Sequence, residues 1–305
     1  MPGKRVTELD TLPSFTDASL LPVHNGAGLK KGTLTQLLNY LGNKFSNPNL
    51  LINPDFAVNQ RGEDTYEIQN SAKYTVDRWK LWNAKVSKID NGIKLENNFA
   101  SIGTLQQKLE KAYSDIVTMS CYVESVTGTV TMKATGADET VTLKQGLNYV
   151  TTSNCNDVTF TINPGASAII NWAKLEKGNI STQFVKPDLT EESIKCEKFY
   201  KIVPLLLGEY LTIGAESAYK EVTLRNDLHT TPTCKASKNE ISYIMLNSAS
   251  PSSITKNIYS VVVEAVYRGS IVLKINAPFE EKNWSTGLTF VGDKPTLIYL
   301  DAEIY

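Results

Sequence analysis

The stretch DIVTMSCYVESV, residues 115–126, decides the fold class. Val117, Met119, Cys121 and Val123 occupy alternate positions, so an extended chain gathers their side chains on one face, as a half-buried β-strand requires. Working outward, GTVTMKA, ETVTL, LNYVTT, DVTFTI and SAIINWAKLE follow, with Gly, Asn and Asp between them. Runs rich in Val and Thr at a spacing of roughly ten residues, separated by turn sequences such as TGAD and NPGAS, predict an antiparallel sandwich. IGTLQQKLE, which holds Gln106, Gln107 and Lys108, has no decisive periodicity.

The pattern changes on either side of this region. Toward the C-terminus, STQFVKPDLTEESIKCEKFYK places Asp188 three residues before Glu191, the spacing of a capping box, and Cys196, Phe199 and Tyr200 form an i, i+3, i+4 apolar patch. A short helix is expected there, docked on a sheet. EYLTIGA, YKEVTL, EISYIML, IYSVVVEAVY, SIVLKINA, LTFVG and TLIYLDAEIY then predict a second, smaller sandwich. Toward the N-terminus, LKKGTLTQLLNYLG puts Leu34, Leu37, Leu38 and Leu41 on one helical face, with Thr33 to cap its start and Gly42 its end. The Asn25-Gly26 pair before it suits a tight turn. A segment of that size has a thin core, and reads as a docking or trimerising piece.

The expected fold is therefore mainly β: two antiparallel, jelly-roll-like β-sandwiches joined by a short helix and preceded by a small N-terminal adaptor. The boundaries are residues 1–47, 48–187, 188–201 and 202–305. A chain of 305 residues with 41% hydrophobic and 21% charged residues can bury such cores.

Composition and motifs narrow the function. Lys and Arg total 31 against 32 Asp and Glu, so no net field favours nucleic acid. The N-terminus lacks a signal-peptide apolar run, and KIVPLLLGEYL is too short to span a bilayer, so membrane insertion is not expected. Cys121, Cys155, Cys196 and Cys234 lie far apart without a CxxC pair and read as buried thiols, which suits assembly in a reducing cytoplasm. His24 and His229 belong to no HExxH motif, and the nucleophile-elbow, P-loop and dinucleotide fingerprints are missing. The adjacent carboxylate pairs Glu63-Asp64, Asp138-Glu139 and Glu280-Glu281 would point to opposite faces of a strand, and Glu191-Glu192 suits the first turn of a helix. No enzymatic activity, cofactor or metal is expected.

Binding surfaces are the better prospect, because saccharide recognition sets an aromatic ring beside amide or charged groups. Trp79, Trp82 and Trp172 lie in apolar-patterned strands and read as core. Trp284 stands instead in the polar stretch PFEEKNWSTG, with Asn283 and Lys282 beside it, and these three are candidate receptor contacts. Tyr267 and Arg268 in VYRGS are weaker candidates at what reads as a hairpin turn.

Several phrases carry a family resemblance. NLLINPDFAVNQRG (residues 49–62) followed by YTVDRW (residues 74–79) resembles the opening of a module common in bacteriophage tail fibre and receptor-binding proteins. Asn49, Leu50, Asn53, Phe56, Gln60, Arg61, Gly62, Tyr74, Asp77, Arg78 and Trp79 match its pattern. WAKLEKGNISTQF is similar to that family's strand-and-exit phrase, with Lys174 where Gln is commoner. EESIKCEKFYK is similar to its helix, with Lys198 and Phe199 replacing Arg and Tyr. VTLRNDLHTTPTC, through Arg225 and Pro232 with an insertion between them, resembles a later strand, and YLDAEIY the closing one. Residues 1–47 are similar to adaptor segments that begin many phage tail proteins.

The resemblance implies a homotrimeric virion fibre protein assembled in the host cytoplasm. Residues 1–47 would attach to other virion proteins, the central jelly roll would resemble a carbohydrate-binding module, and the C-terminal sandwich would meet a bacterial surface glycan or protein. It also implies that Phe56 and Trp79 are core and that Asp77 and Arg78 pair as a structural staple. A non-adhesive connector or capsid fibre is the alternative reading, and a glycan depolymerase the weaker third.

Overall fold

A computed structural model describes residues 20–24, 29–33, 36–37, 45–137, 139–205, 210–214, 217–224, 227–237, 240–245, 254–257, 260–267, 269–276, 287–290 and 296–303. The molecule is mostly β, and every described strand pairing is antiparallel.

Strands β1 (Leu20–His24) and β2 (Leu29–Thr33) form a hairpin, with His24 opposite Leu29. Thr33 and Gln36 then cap each other: the Gln36 N–H donates to Thr33 Oγ1 at 3.1 Å and the Thr33 N–H donates to Gln36 Oε1 at 2.9 Å. Thr33 is thus the cap expected. Most of the helix expected after it, Gly42 included, and the Asn25-Gly26 turn lie outside the described residues.

The first sandwich runs through β3 (Thr65–Tyr74), β4 (Lys80–Ile89), β5 (Gly92–Glu96), β6 (Gly103–Tyr113) and β7 (Val117–Thr127). It continues through β8 (Val130–Ala134), β9 (Val141–Thr142), β10 (Gly146–Thr152), β11 (Cys155–Ile162) and β12 (Ser167–Lys177). The order is β10-β7-β12-β5-β4-β6-β11-β8-β9, with β3 added to β4. Strand β4 turns the corner between layers, because Lys80–Trp82 pair with β6 while Lys85–Ile89 pair with β5. The facing layers meet where Cys121 Sγ on β7 lies 3.6 Å from Met132 Sδ on β8. Val117, Met119, Cys121 and Val123 are all fully buried, as their alternation predicts. IGTLQQKLE resolves as β6, and its buried Gln107 holds both the N–H and the carbonyl of Ile52 (2.9 and 2.7 Å), so the amide mimics a ladder pairing.

Helix α1 (Leu189–Cys196) follows, with Asp188 accepting from the Thr190 and Glu191 N–H groups. It is shorter than the expected residues 188–201, since Tyr200 already belongs to the next strand. Asp188→Ala should lower stability by ~1 kcal/mol, the usual value of an N-cap. A denaturant midpoint unchanged from wild type would mean that the cap does not hold this helix in place.

The second β region contains β13 (Tyr200–Leu205), β14 (Tyr210–Gly214), β15 (Ser217–Thr223), β16 (Thr233–Ala236) and β17 (Glu240–Met245). Strands β18 (Ile254–Asn257), β19 (Ser260–Tyr267), β20 (Ser270–Asn276), β21 (Gly287–Phe290) and β22 (Thr296–Asp301) complete it. They make a three-stranded sheet, β13-β22-β16, and a seven-stranded one, β18-β17-β21-β14-β15-β20-β19. One core joins the two sheets, with Val203, Ile298 and Leu300 packed with Val222, Ile271, Leu273 and Ile275. Of the cysteines, Cys121, Cys155 and Cys196 are buried free thiols and Cys234 is a half-buried one. Burial pushes Cys121 up to about 12 and Cys155 to about 11, so neither is a thiolate at neutral pH.

Candidate functional site

Of the expected contact residues, Lys282, Asn283, Trp284 and Arg268 lie outside the described residues. Tyr267 closes the β19–β20 hairpin opposite Ser270 and is 59% exposed. It shares a shallow depression of about 420 Å³ with Asp227, His229 and Pro232. The turn itself is held by the Gly269 N–H on Asp227 Oδ1 at 3.0 Å.

Parts of four of the phrases that resemble the fibre family, residues 53–62, 74–79, 198–200 and 300–303, meet in one buried junction. Arg61 Nη1 donates to Asp77 Oδ1 at 3.1 Å, and its Nη2 lies 3.5 Å from Glu303 and 3.7 Å from Asp301. Arg78 Nη1 donates to Glu303 Oε2 at 2.6 Å, and Nη2 donates to the Lys108 carbonyl at 2.6 Å. Each guanidinium also covers a ring: Arg61 sits 3.9 Å from the centre of Tyr200, and Arg78 3.7 Å from that of Phe199. The expected Asp77–Arg78 staple is thus corrected. Neighbours in a turn splay apart, so Asp77 takes Arg61 from its own region while Arg78, at φ 72°, reaches a carboxylate 225 residues away.

Burial raises the carboxyl pKa of both acids. Asp77 is pushed up to about 6, opposed by the Gln60 N–H and Arg61, and Glu303 is pushed up against the pull of Arg78 and Arg61. Asn53 completes the junction, fully buried at φ 54°. Its amide donates to the Val58 and Asp77 carbonyls, its N–H to Glu192 Oε1, and its carbonyl accepts from Trp79 Nε1 at 3.0 Å. Phe56 and Trp79 are core, with ring centres 4.9 Å apart. Although Arg61 Nη2, Arg78 Nε and Gln60 Nε2 lack hydrogen-bond partners, the charges of the junction are paired with one another across the two β regions.

A different surface has the composition of a binding site. Strand β12 skips a residue against β7 around Asn171. The buried positions therefore run Ala168 and Ile170, then Ala173 and Leu175, and both Asn171 and Trp172 fall on the outer face. Trp172 lands opposite Tyr122, with ring centres 6.3 Å apart, and Phe184 stacks on it at 4.6 Å with planes 3° apart. Sequence alternation had placed Trp172 and Trp82 in the core. The bulge moves Trp172 out, and Trp82, next to the fully buried Leu81, points outward and is 40% exposed.

Lys174 explains how Phe184 is held. Its buried ammonium pairs with Glu176 at 3.2 Å and donates to Thr182 Oγ1 at 2.7 Å and the Gln183 carbonyl at 2.9 Å, which pins the segment leaving β12. Glu176 in turn accepts from the Thr182 N–H at 2.8 Å and from its hydroxyl. Burial lowers the Lys174 pKa, and Glu176 opposes that shift.

Beside these rings lies a groove of about 430 Å³, walled by Trp172, Phe184 and Asn171, by the β4–β5 turn and by residues 55–57. The turn can lie there because Gly92 (φ 113°) has no side chain; a Cβ would stand 2.2 Å from the Ile170 carbonyl oxygen. Asn171 Nδ2 donates to the Asn91 carbonyl at 2.8 Å and to Glu124 at 3.2 Å. Its Oδ1 has no partner, nor has Asp55 Oδ1. Unmatched buried acceptors cost ~1–3 kcal/mol each.

No family model and no curated protein matches the chain. Solved structures similar to it include the N-terminal CBM22 tandem of Paenibacillus barcinonensis Xyn10C, at 9% identity over 84% of this chain and 97% of that one, TM-score 0.26. Another is the oxalate decarboxylase of Bacillus subtilis, at 10% identity over 96% of this chain and 88% of that one, TM-score 0.14. Likeness at these scores carries no argument about function.

Proposed function

We propose that this chain is a non-enzymatic fibre protein of a bacteriophage virion, acting as a homotrimer that recognises a bacterial surface glycan or protein. In this reading residues 1–47 attach it to other virion proteins, and the outer surfaces of the two β regions face the host. One observation carries it: QRG (60–62), YTVDRW (74–79), KFY (198–200) and LDAE (300–303), quoted for their family resemblance, lie far apart in sequence yet supply the arginines, carboxylates and rings of a single junction. Phrases matched by chance have no reason to meet. Trimerisation suits adhesion, because several weak sites on one particle gain avidity without new contacts.

The test is the solution molar mass of the full-length chain by light scattering, followed by binding of the labelled protein to a panel of bacterial strains. A mass near three times 33.7 kDa with saturable cell binding is expected. A monomer that binds another virion protein and no cells would establish the connector instead, and release of reducing sugar from surface polysaccharide would establish an enzyme.

A further inference from the structure

The Asp55 carboxylate is the least explained charged group among the described residues. Its side chain is only 9% exposed and its Oδ1 has no hydrogen-bond partner. Its ion pair is to Lys186 Nζ at 3.9 Å, on a side chain that is 71% exposed, and so is weak and screened. Native structures leave few such acceptors unmatched, and each calls for an explanation. Asn171, with its own unmatched Oδ1, lines the same groove as Asp55, with the Trp172 and Phe184 rings alongside.

The chemistry of these walls selects a ligand. Acceptors lacking donors need hydroxyl or ammonium hydrogens, and aromatic carbon needs C–H surface. An anionic ligand would meet the Asp55 charge, while of the two lysines that line the groove Lys88 already donates to the Ala57 carbonyl at 2.6 Å and Lys186 pairs with Asp55. Among the described residues no three His, Cys, Asp or Glu side chains are grouped to hold a metal ion. A pyranose ring carries both required surfaces, with hydroxyls around its edge and axial C–H groups on its face.

We propose that this groove on the outer face of the first sandwich binds a neutral hexopyranose of gluco, galacto or manno configuration, as one unit of a polysaccharide. Asp55 and Asn171 accept its hydroxyls, and the face of Phe184 turned away from Trp172 packs against its C–H face, with Trp172 holding Phe184 in place from behind. Neither Oδ1 touches bulk water, so the sugar reaches them only as exposed side chains lining the groove, Lys186 among them, shift aside, a motion on the nanosecond scale. The site does not depend on the virion reading and stands or falls apart from trimer mass and cell adhesion.

Titrating the full-length chain with the methyl glycosides of glucose, galactose and mannose to about 100 mM, followed by tryptophan fluorescence and calorimetry, tests the site; millimolar affinity is expected because a single small site gains no avidity. One of the three should give a saturable response. Trp172→Ala and Asp55→Asn should each weaken it by about ten-fold or more, in line with the loss of a charge-assisted hydrogen bond or a packed ring. Asp55→Asn also separates binding from folding: removing a largely buried charge whose ion pair to Lys186 is long and exposed should leave the melting temperature equal or higher while sugar binding weakens. The proposal is overturned by no saturable response to any of the three, by a response that both variants retain, or by variants that change only self-association or calcium binding.

Discussion

Arg78→Ala is expected to lower the stability of the chain by ~3–5 kcal/mol, the usual result of deleting one member of a buried ion pair. Both side chains are almost wholly buried, so Glu303 would be left as a carboxylate with neither its 2.6 Å partner nor water. The Phe199 ring would lose the guanidinium that covers it and the Lys108 carbonyl a donor. Because Arg78 lies in the first sandwich and Glu303 just beyond β22, the damage should also loosen the two β regions from each other. Thermal unfolding should fall by about 10 °C, and limited proteolysis should cut the connection around α1 sooner. Arg78→Gly makes a useful control, since φ 72° costs a non-glycine residue ~1–2 kcal/mol, and glycine should recover part of the loss. An Arg78→Ala protein of unchanged melting temperature that no longer binds cells would make this residue a receptor contact and not a staple.

Trp79→Ala should cost a similar ~3–5 kcal/mol for a different reason. The indole is fully buried between Phe56 and Phe160, at 4.9 and 6.1 Å, so truncation leaves a cavity that two neighbouring strands cannot both close. It also removes the Nε1 donor to the Asn53 carbonyl, one of the points at which the Asn49–Gly62 segment is fastened to the core. Trp79→Phe, which keeps most of the volume and loses the hydrogen bond, should recover more than half of that cost. Equilibrium denaturation of the two variants decides the matter: equal losses would mean that the hydrogen bond and not the packing sets the value of this residue.

Strand type and the two-sandwich order were legible because alternation is a local property. Val117 to Val123 announce their buried face without reference to any other part of the chain, and Asp188 announces its helix through a donor only two or three residues away. The same local logic failed where the partner was remote or the register slipped. Arg78 was matched to its sequence neighbour Asp77, but a turn points adjacent side chains apart, and the partner carboxylate arrives from just beyond the last strand. Trp172 was assigned to the core because nothing in INWAK marks the extra residue that turns both Asn171 and Trp172 outward.

What the sequence by itself determined, then, is the antiparallel β class and the capped helix between the two β regions, both settled by contacts or periodicities a few residues long; the core position of Phe56 came from the family resemblance, which also implied that of Trp79. Only the tertiary structure decided which arginine meets which carboxylate, and that Asp55, Asn171, Trp172 and Phe184 border one groove. Those pairings depend on β-sheet register and on chain closure over as many as 225 residues, which one-dimensional patterns do not encode.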